Sequence, residues 1–125
     1  MNPQDDTKGL QEITSYIENN FRVTVGKIKT PLKELFPEPE KKHLQRFWDN
    51  NSHADIPVFR HHKLVCIIEP GGKAHFSDKK QRTRDKKKFA ICKLNGVNLL
   101  HISNGVISCL NDRKTKRLFR KYIYG

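Results

Sequence analysis

Apolar positions recur every third or fourth residue over 8–21, KGLQEITSYIENNF, where Leu10, Ile13, Ile17 and Phe21 share one side of a helical repeat. The spacing predicts an amphipathic first helix. RVTVGKI (22–28) is β-branched but interrupted by Gly26, so it predicts a weak strand at best. Three prolines punctuate PLKELFPEPE (31–40), which reads as an irregular segment with room for one helical turn. KKHLQRFWDNN (41–51) sets Leu44, Phe47 and Trp48 on one helical face and stops in Asp and Asn.

The middle of the chain changes period. ADIPVF (54–59) alternates Ala54, Ile56 and Val58 with Asp55, Pro57 and Phe59, a strand pattern, and Pro57 implies a free edge because it has no N–H for a ladder. RHHK (60–63) is a polar turn, and LVCIIE (64–69) is apolar almost throughout, as a strand covered on both faces is. After EPGG (69–72), Ser77 is placed as an N-cap with Asp78 in the first turn, and a helix over 78–94 stops at Asn95-Gly96. VNLLHIS (97–103) is a further strand, and Asn104-Gly105 predicts a turn that pairs VISCL (106–110) back as a hairpin. A basic helix over about 111–123, anchored by Leu118, Phe119, Tyr122 and Ile123, closes the chain.

Strand 64–69, helix 78–94 and strand 97–103 together have the size of a βαβ unit, so the two strands should run parallel with a right-handed crossover. The fold class that follows is α/β, one small sheet with helices packed against it. A length of 125 residues agrees, being enough for one domain and too little for two. The longest apolar runs are only a few residues, so no membrane span is expected. MNPQDDTK carries acids where a signal peptide is basic and then apolar, which points to a cytoplasmic protein. Cys66, Cys92 and Cys109 are odd in number, far apart and without a Cys-x-x-Cys, so three buried free thiols are expected, not a disulfide framework or zinc site.

Charge alters the picture more. The net formal charge is +12, which makes a polyanion the leading partner and nucleic acid the commonest of these, the other reading being a solvated basic surface. Asp55 near the start of one strand and Glu69 at the end of the next converge at one end of a sheet if the RHHK turn joins their strands as a hairpin. That hairpin would set Phe59 near Lys63 and Asp55 level with Val65 to Glu69. Two such carboxylates, with the carbonyl of Pro70 in the following turn, suit a hard cation such as Mg²⁺, which takes oxygen ligands and keeps sites for water and phosphate. The competing reading is two acids with no shared task.

On a helical wheel Asp78, Asp85, Phe89 and Cys92 share a face, so Asp85 points inward and needs a partner. His75 is the natural one, as a proton carrier or phosphate contact, although Asp85 could equally offset Arg82 or Lys88. Lys79, Lys80, Arg82, Arg84, Lys86, Lys87 and Lys88 make a positive band beside this loop. With the cations of the last helix, Arg113 to Lys121, that band could straddle a phosphate backbone.

The ordered set of Asp55, Glu69, Gly72, His75, Arg84-Asp85 and NGVNLLHI (95–102) resembles the restriction-endonuclease-like, or PD-(D/E)XK, nuclease superfamily. It is most similar to a small branch with an E-x-D-G-x-x-H loop, related to very-short-patch repair and some homing endonucleases. The resemblance covers a core of about residues 53–103 in a single nuclease-like domain. It implies a mixed central sheet flanked by helices and Mg²⁺- or Mn²⁺-dependent hydrolysis of DNA phosphodiesters. Asp55, Glu69 and Pro70 would hold the metal, with His75 and Asp85 as the loop histidine and helix aspartate. Glu12 or Glu18 of the first helix would be the family's helix glutamate. The pattern departs at Gly71, which stands where the superfamily has lysine and this branch often has aspartate; Lys73 is the candidate to supply charge from a neighbouring position. The expected function is a DNA nuclease, a homodimer being attractive for cutting both strands. The alternatives are an inactive nucleic-acid-binding module on the same fold and a basic protein that docks an acidic protein surface.

Overall fold

An apolar run such as 64–69 is stable as a strand only between two covering layers, and the fold supplies both. The computed structural model describes residues 3–50, 52–71 and 79–125, with side chains from residue 9 onward except those of 104 and 105. In chain order the elements are α1 (Pro3–Asn20), β1 (Thr24–Val25), β2 (Thr30–Pro31), α2 (Leu32–Leu35), α3 (Lys42–Asp49) and β3 (His53–Ala54). There follow β4 (Ile56–Arg60), β5 (Lys63–Pro70), α4 (Lys79–Leu94), β6 (Asn98–Ile102), α5 (Asn104–Ile107) and α6 (Arg113–Tyr124). The described chain is a small α/β domain with a mixed sheet, order β1-β4-β5-β6, and a separate β2-β3 ribbon.

Side-chain alternation along the strands divides the core in two. Ile56, Val58, Cys66, Ile68, Leu100 and Ile102 face Leu10, Ile13 and Ile17 of α1 and Phe119 and Ile123 of α6. On the other face Ile67 and Leu99 meet Ile91 and Cys92 of α4, Leu32 of α2 and Leu44 of α3. Nearly all these side chains are fully buried, so each sheet face contributes its own hydrophobic layer. β5 and β6 are parallel, from Cys66↔Asn98 to Pro70↔Ile102, and Gly71 N continues the ladder to Ile102 O at 3.0 Å.

Several expectations are corrected. The 54–59 strand is broken at Asp55: Ala54 pairs with Thr30 in the ribbon and Ile56 with Ile68 in the main sheet, so the residue between them stands at a bend. The hairpin register is one step from the reading above, with Arg60↔Lys63 and Phe59↔Leu64, and a bulge follows because Val58 pairs with Cys66. His61 and His62 form the tip at φ 52° and 64°, the left-handed pair that a two-residue turn demands.

Pro57 is not on a free edge, because β4 lies between β1 and β5. Its carbonyl accepts from Gly26 N (2.9 Å), on the side where β1 has already ended, so the missing N–H leaves no gap in a ladder. The expected 106–110 hairpin strand is instead α5 and a turn. Ser103 caps α5, its hydroxyl accepting from Val106 N at 3.3 Å, while Val106, Ile107 and Leu110 pack on the α1–α6 core. Cys66 and Cys92 are buried as expected, but Cys109 is exposed in that turn.

Candidate active site

Asp55 is positioned by main chain on both sides. Its carbonyl accepts from Lys29 N at 2.9 Å, the β2–β3 ribbon holds the residues before it, and the β4–β5 ladder holds those after it. Because Ile56 pairs with Ile68, Asp55 arrives level with Glu69, and the two carboxyl groups come close enough to perturb each other's ionisation. Glu69 extends the strand face that also carries Ile67, so it enters the α4 side of the sheet and is only 4% exposed.

A carboxyl group buried that deeply needs compensation, and α4 provides it. Lys88 Nζ lies 2.6 Å from Glu69 Oε1, with both side chains largely buried. His53 Nε2 stands 3.5 Å from Asp55 Oδ1. These groups line a cavity of about 420 Å³, bounded by Phe47, Asn50 and Ser52, by Gln81, Arg84 and Asp85 of α4, and by His101, which pairs with Glu69 across the parallel ladder. Gln81 Nε2 donates to Asp85 Oδ1 at 3.2 Å.

The two acids are driven in opposite directions. Burial pushes Glu69 up, the neighbouring Asp55 pushes it further, and the Lys88 charge opposes both, leaving it at about 8. Burial also raises Asp55, but hydrogen bonds from His53 and Glu69 and the charges of Lys88 and His53 outweigh it and hold Asp55 below the ordinary carboxylate range. Burial and mutual proximity therefore oppose full ionisation of the pair, and the Lys88 charge offsets part of that cost. Such a pair offers the oxygen donors that a hard divalent cation takes, and a cation would relieve the repulsion between them. Among the described residues no group of three or more His, Cys, Asp or Glu side chains is arranged to hold a metal. A cation here would rest on two carboxylates, with its remaining ligands from water, main chain or substrate, a set that suits Mg²⁺ or Mn²⁺.

Of the residues expected from sequence, Asp55, Glu69, Arg84 and Asp85 meet in this cavity, whereas half-buried Pro70 is not among the residues that line it. Lys73 and His75 lie outside the described residues. Lys79, Lys80, Arg82 and Lys86 are exposed on α4, and Lys87 is half-buried there. Phe89 is not on the inward face: it is 53% exposed. The inward arc of α4 is centred on Lys88, and Phe89 is about 100° from it. Glu18 is engaged elsewhere, accepting from Val25 N at 3.1 Å, and Glu12 is exposed; α1 packs on the sheet face opposite Glu69.

Lys88, His53 and His101 were not singled out as site residues. The wheel carried the signal for Lys88, which falls about 60° from Asp85 and about 40° from Cys92. His101 was not readable, because a βαβ spacing implies parallel strands but not the register that sets His101 opposite Glu69. His53 had no signal either, because its approach depends on the bend at Asp55. No family model, curated protein or solved structure matches the chain.

Proposed function

We propose that this domain is a restriction-endonuclease-like nuclease that hydrolyses DNA phosphodiester bonds with a divalent metal. The observation that carries the reading is the juxtaposition of Asp55 and Glu69 at the carboxyl end of β5, in a cavity that also holds Lys88 and Arg84. Asp55 and Glu69 would hold Mg²⁺ or Mn²⁺, which when bound supplies an activated water and polarises the scissile phosphate. Lys88 supports the reading at the point where the motif departs: Gly71 offers no side chain, and an ammonium group reaches Glu69 from α4 instead. It balances negative charge that gathers at the phosphate. Arg84 binds a neighbouring phosphate oxygen, and His53, held by Asp55, is placed to take or return a proton in the cavity.

Plasmid, branched and single-stranded DNA incubated with Mn²⁺ or with EDTA test this directly. Cleavage should require the metal, and Asp55→Asn or Glu69→Gln should each lower it more than about 100-fold, beyond the loss typical of a residue that only orients a ligand. DNA binding in EDTA should stay near the parental level. Either variant cutting like the parent sinks the assignment.

A second reading keeps the fold and the DNA but not the chemistry. Glu69 already has Lys88 and Asp55 as partners, an arrangement that is self-sufficient as a structural network. A binding-only module would show no Mn²⁺ uptake by calorimetry, whereas the nuclease would show uptake that Glu69→Gln removes.

A further inference from the structure

The two basic helices do not form one surface. Ile91 and Cys92 seat α4 on one face of the sheet, while Phe119 and Ile123 seat α6 on the other, so their outward sides point away from each other. The expected straddling of one backbone by both helices is thereby replaced by two separate surfaces. Among the described residues, none from α6 lines the cavity. Arg113, Lys114, Lys116, Arg117, Arg120 and Lys121 are all exposed, and the helix contains no acid. At 100° per residue the six span an arc of about 160°, opposite Phe119. Among the described residues none of the six is in an ion pair, whereas Lys33, His53 and Lys88 each are.

We infer that the outward face of α6 is a second binding surface, lying along the phosphate backbone of duplex DNA and independent of the Asp55–Glu69 cavity. The charge density argues for a duplex. Six cations over eight helical steps, at about 1.5 Å each, place one charge per about 2 Å of axis. Duplex DNA carries one per about 1.7 Å, and a single strand one per about 3.4 Å. Like charges at i, i+4 repel along this helix, and a partner of matching density relieves that repulsion. A lipid surface is a poor occupant, because the apolar side of α6 is spent in the core, Phe119 being 0% and Ile123 2% exposed. The strip continues past the end of the helix, where the Arg60 guanidinium lies 5.1 Å from the centre of the Tyr124 ring and brings up the hairpin tip with exposed Lys63.

The test uses the full chain carrying Glu69→Gln, in EDTA, so that neither cleavage nor metal enters the result. Binding of a fluorescein-labelled duplex of about two helical turns is followed by anisotropy between roughly 50 and 200 mM KCl. Arg113→Gln, Arg117→Gln and Lys121→Gln together should reduce the slope of log K against log salt by about 2 to 3, near 0.9 per lost phosphate contact. Affinity at the low-salt end should fall at least about tenfold, and bound duplex should protect Lys114 and Lys116 from acetylation. The three sites are exposed, and a thermal melt equal to the parent's confirms that the fold is kept. An unchanged slope with unprotected lysines overturns the proposal. So does a result in which poly-glutamate binding, and not duplex binding, depends on the three cations, which would assign the face to an acidic protein. The cleavage experiment reads metal-dependent scission at Asp55 and Glu69 and this one reads metal-free binding at α6, so failure of either reading is distinguishable from failure of the other.

Discussion

Lys88→Met removes the ammonium group 2.6 Å from Glu69 Oε1 and keeps a side chain of similar length. The cost should depend on pH in a calculable way. Glu69 is raised from 4.5 to about 8, so the folded chain holds this proton more tightly than the unfolded one. The group's contribution to stability is therefore complete below pH 4.5 and declines by about 1.4 kcal/mol per unit as pH rises toward 8. Above that the decline levels off in the parent, because Lys88 supports the carboxylate. In Lys88→Met the carboxylate has lost that support, its pKa moves higher still, and the decline continues. At pH 6 both proteins keep Glu69 protonated, and the substitution costs about 1 kcal/mol, a single hydrogen bond. At pH 9 the difference grows to about 2.5 kcal/mol, still within the penalty for breaking a buried pair. Urea unfolding followed by the fluorescence of Trp48, the single tryptophan, reads this out. With a slope of about 2 kcal/mol/M, the midpoint gap between variant and parent should widen by about 0.7 M from pH 6 to pH 9. Adding Glu69→Gln should abolish the widening. An equal gap at both pH values would refute the argument that Lys88 works by supporting an ionised Glu69.

Thiol labelling under native conditions should modify Cys109 alone, since Cys66 and Cys92 are buried and their thiols are pushed up to about 12, chiefly by burial; rapid reaction of more than one thiol would contradict this. The double change His61→Asn with His62→Gly should raise stability by about 1 to 2 kcal/mol, seen as a melting temperature higher by several degrees, because both positions have positive φ. Gly26→Ala should destabilise by about 1 to 3 kcal/mol in the same assay, since a Cβ there would stand 2.7 Å from Phe59 Cε2 and press on the Pro57 ring.

The elements that pattern alone identified are those whose burial is periodic. Leu10, Ile13 and Ile17 announced α1, LVCIIE announced a doubly covered strand, and the βαβ spacing announced the parallel pairing of β5 with β6. The turn and the two strands made it legible that Asp55 and Glu69 lie at one end of the sheet, but their level pairing depends on the bulge between Val58 and Phe59, which shifts the register by one residue. Periodicity is a local property, and it is written into the chain wherever one face of an element meets the core.

Other features depended on contacts between residues far apart. VISCL is apolar enough for a strand, yet Ser103 caps a helical turn and the core accepts Val106 and Ile107 in that form. The 54–59 segment alternates perfectly but belongs to two ladders, so only pairing with Thr30 and Ile68 reveals the bend that brings His53 beside Asp55. Lys88 looked like one more member of a solvated basic run. It became the partner of Glu69 because the packing of Ile91 and Cys92 sets the rotation of α4, and a buried carboxyl group draws in the nearest cation that the rotation offers.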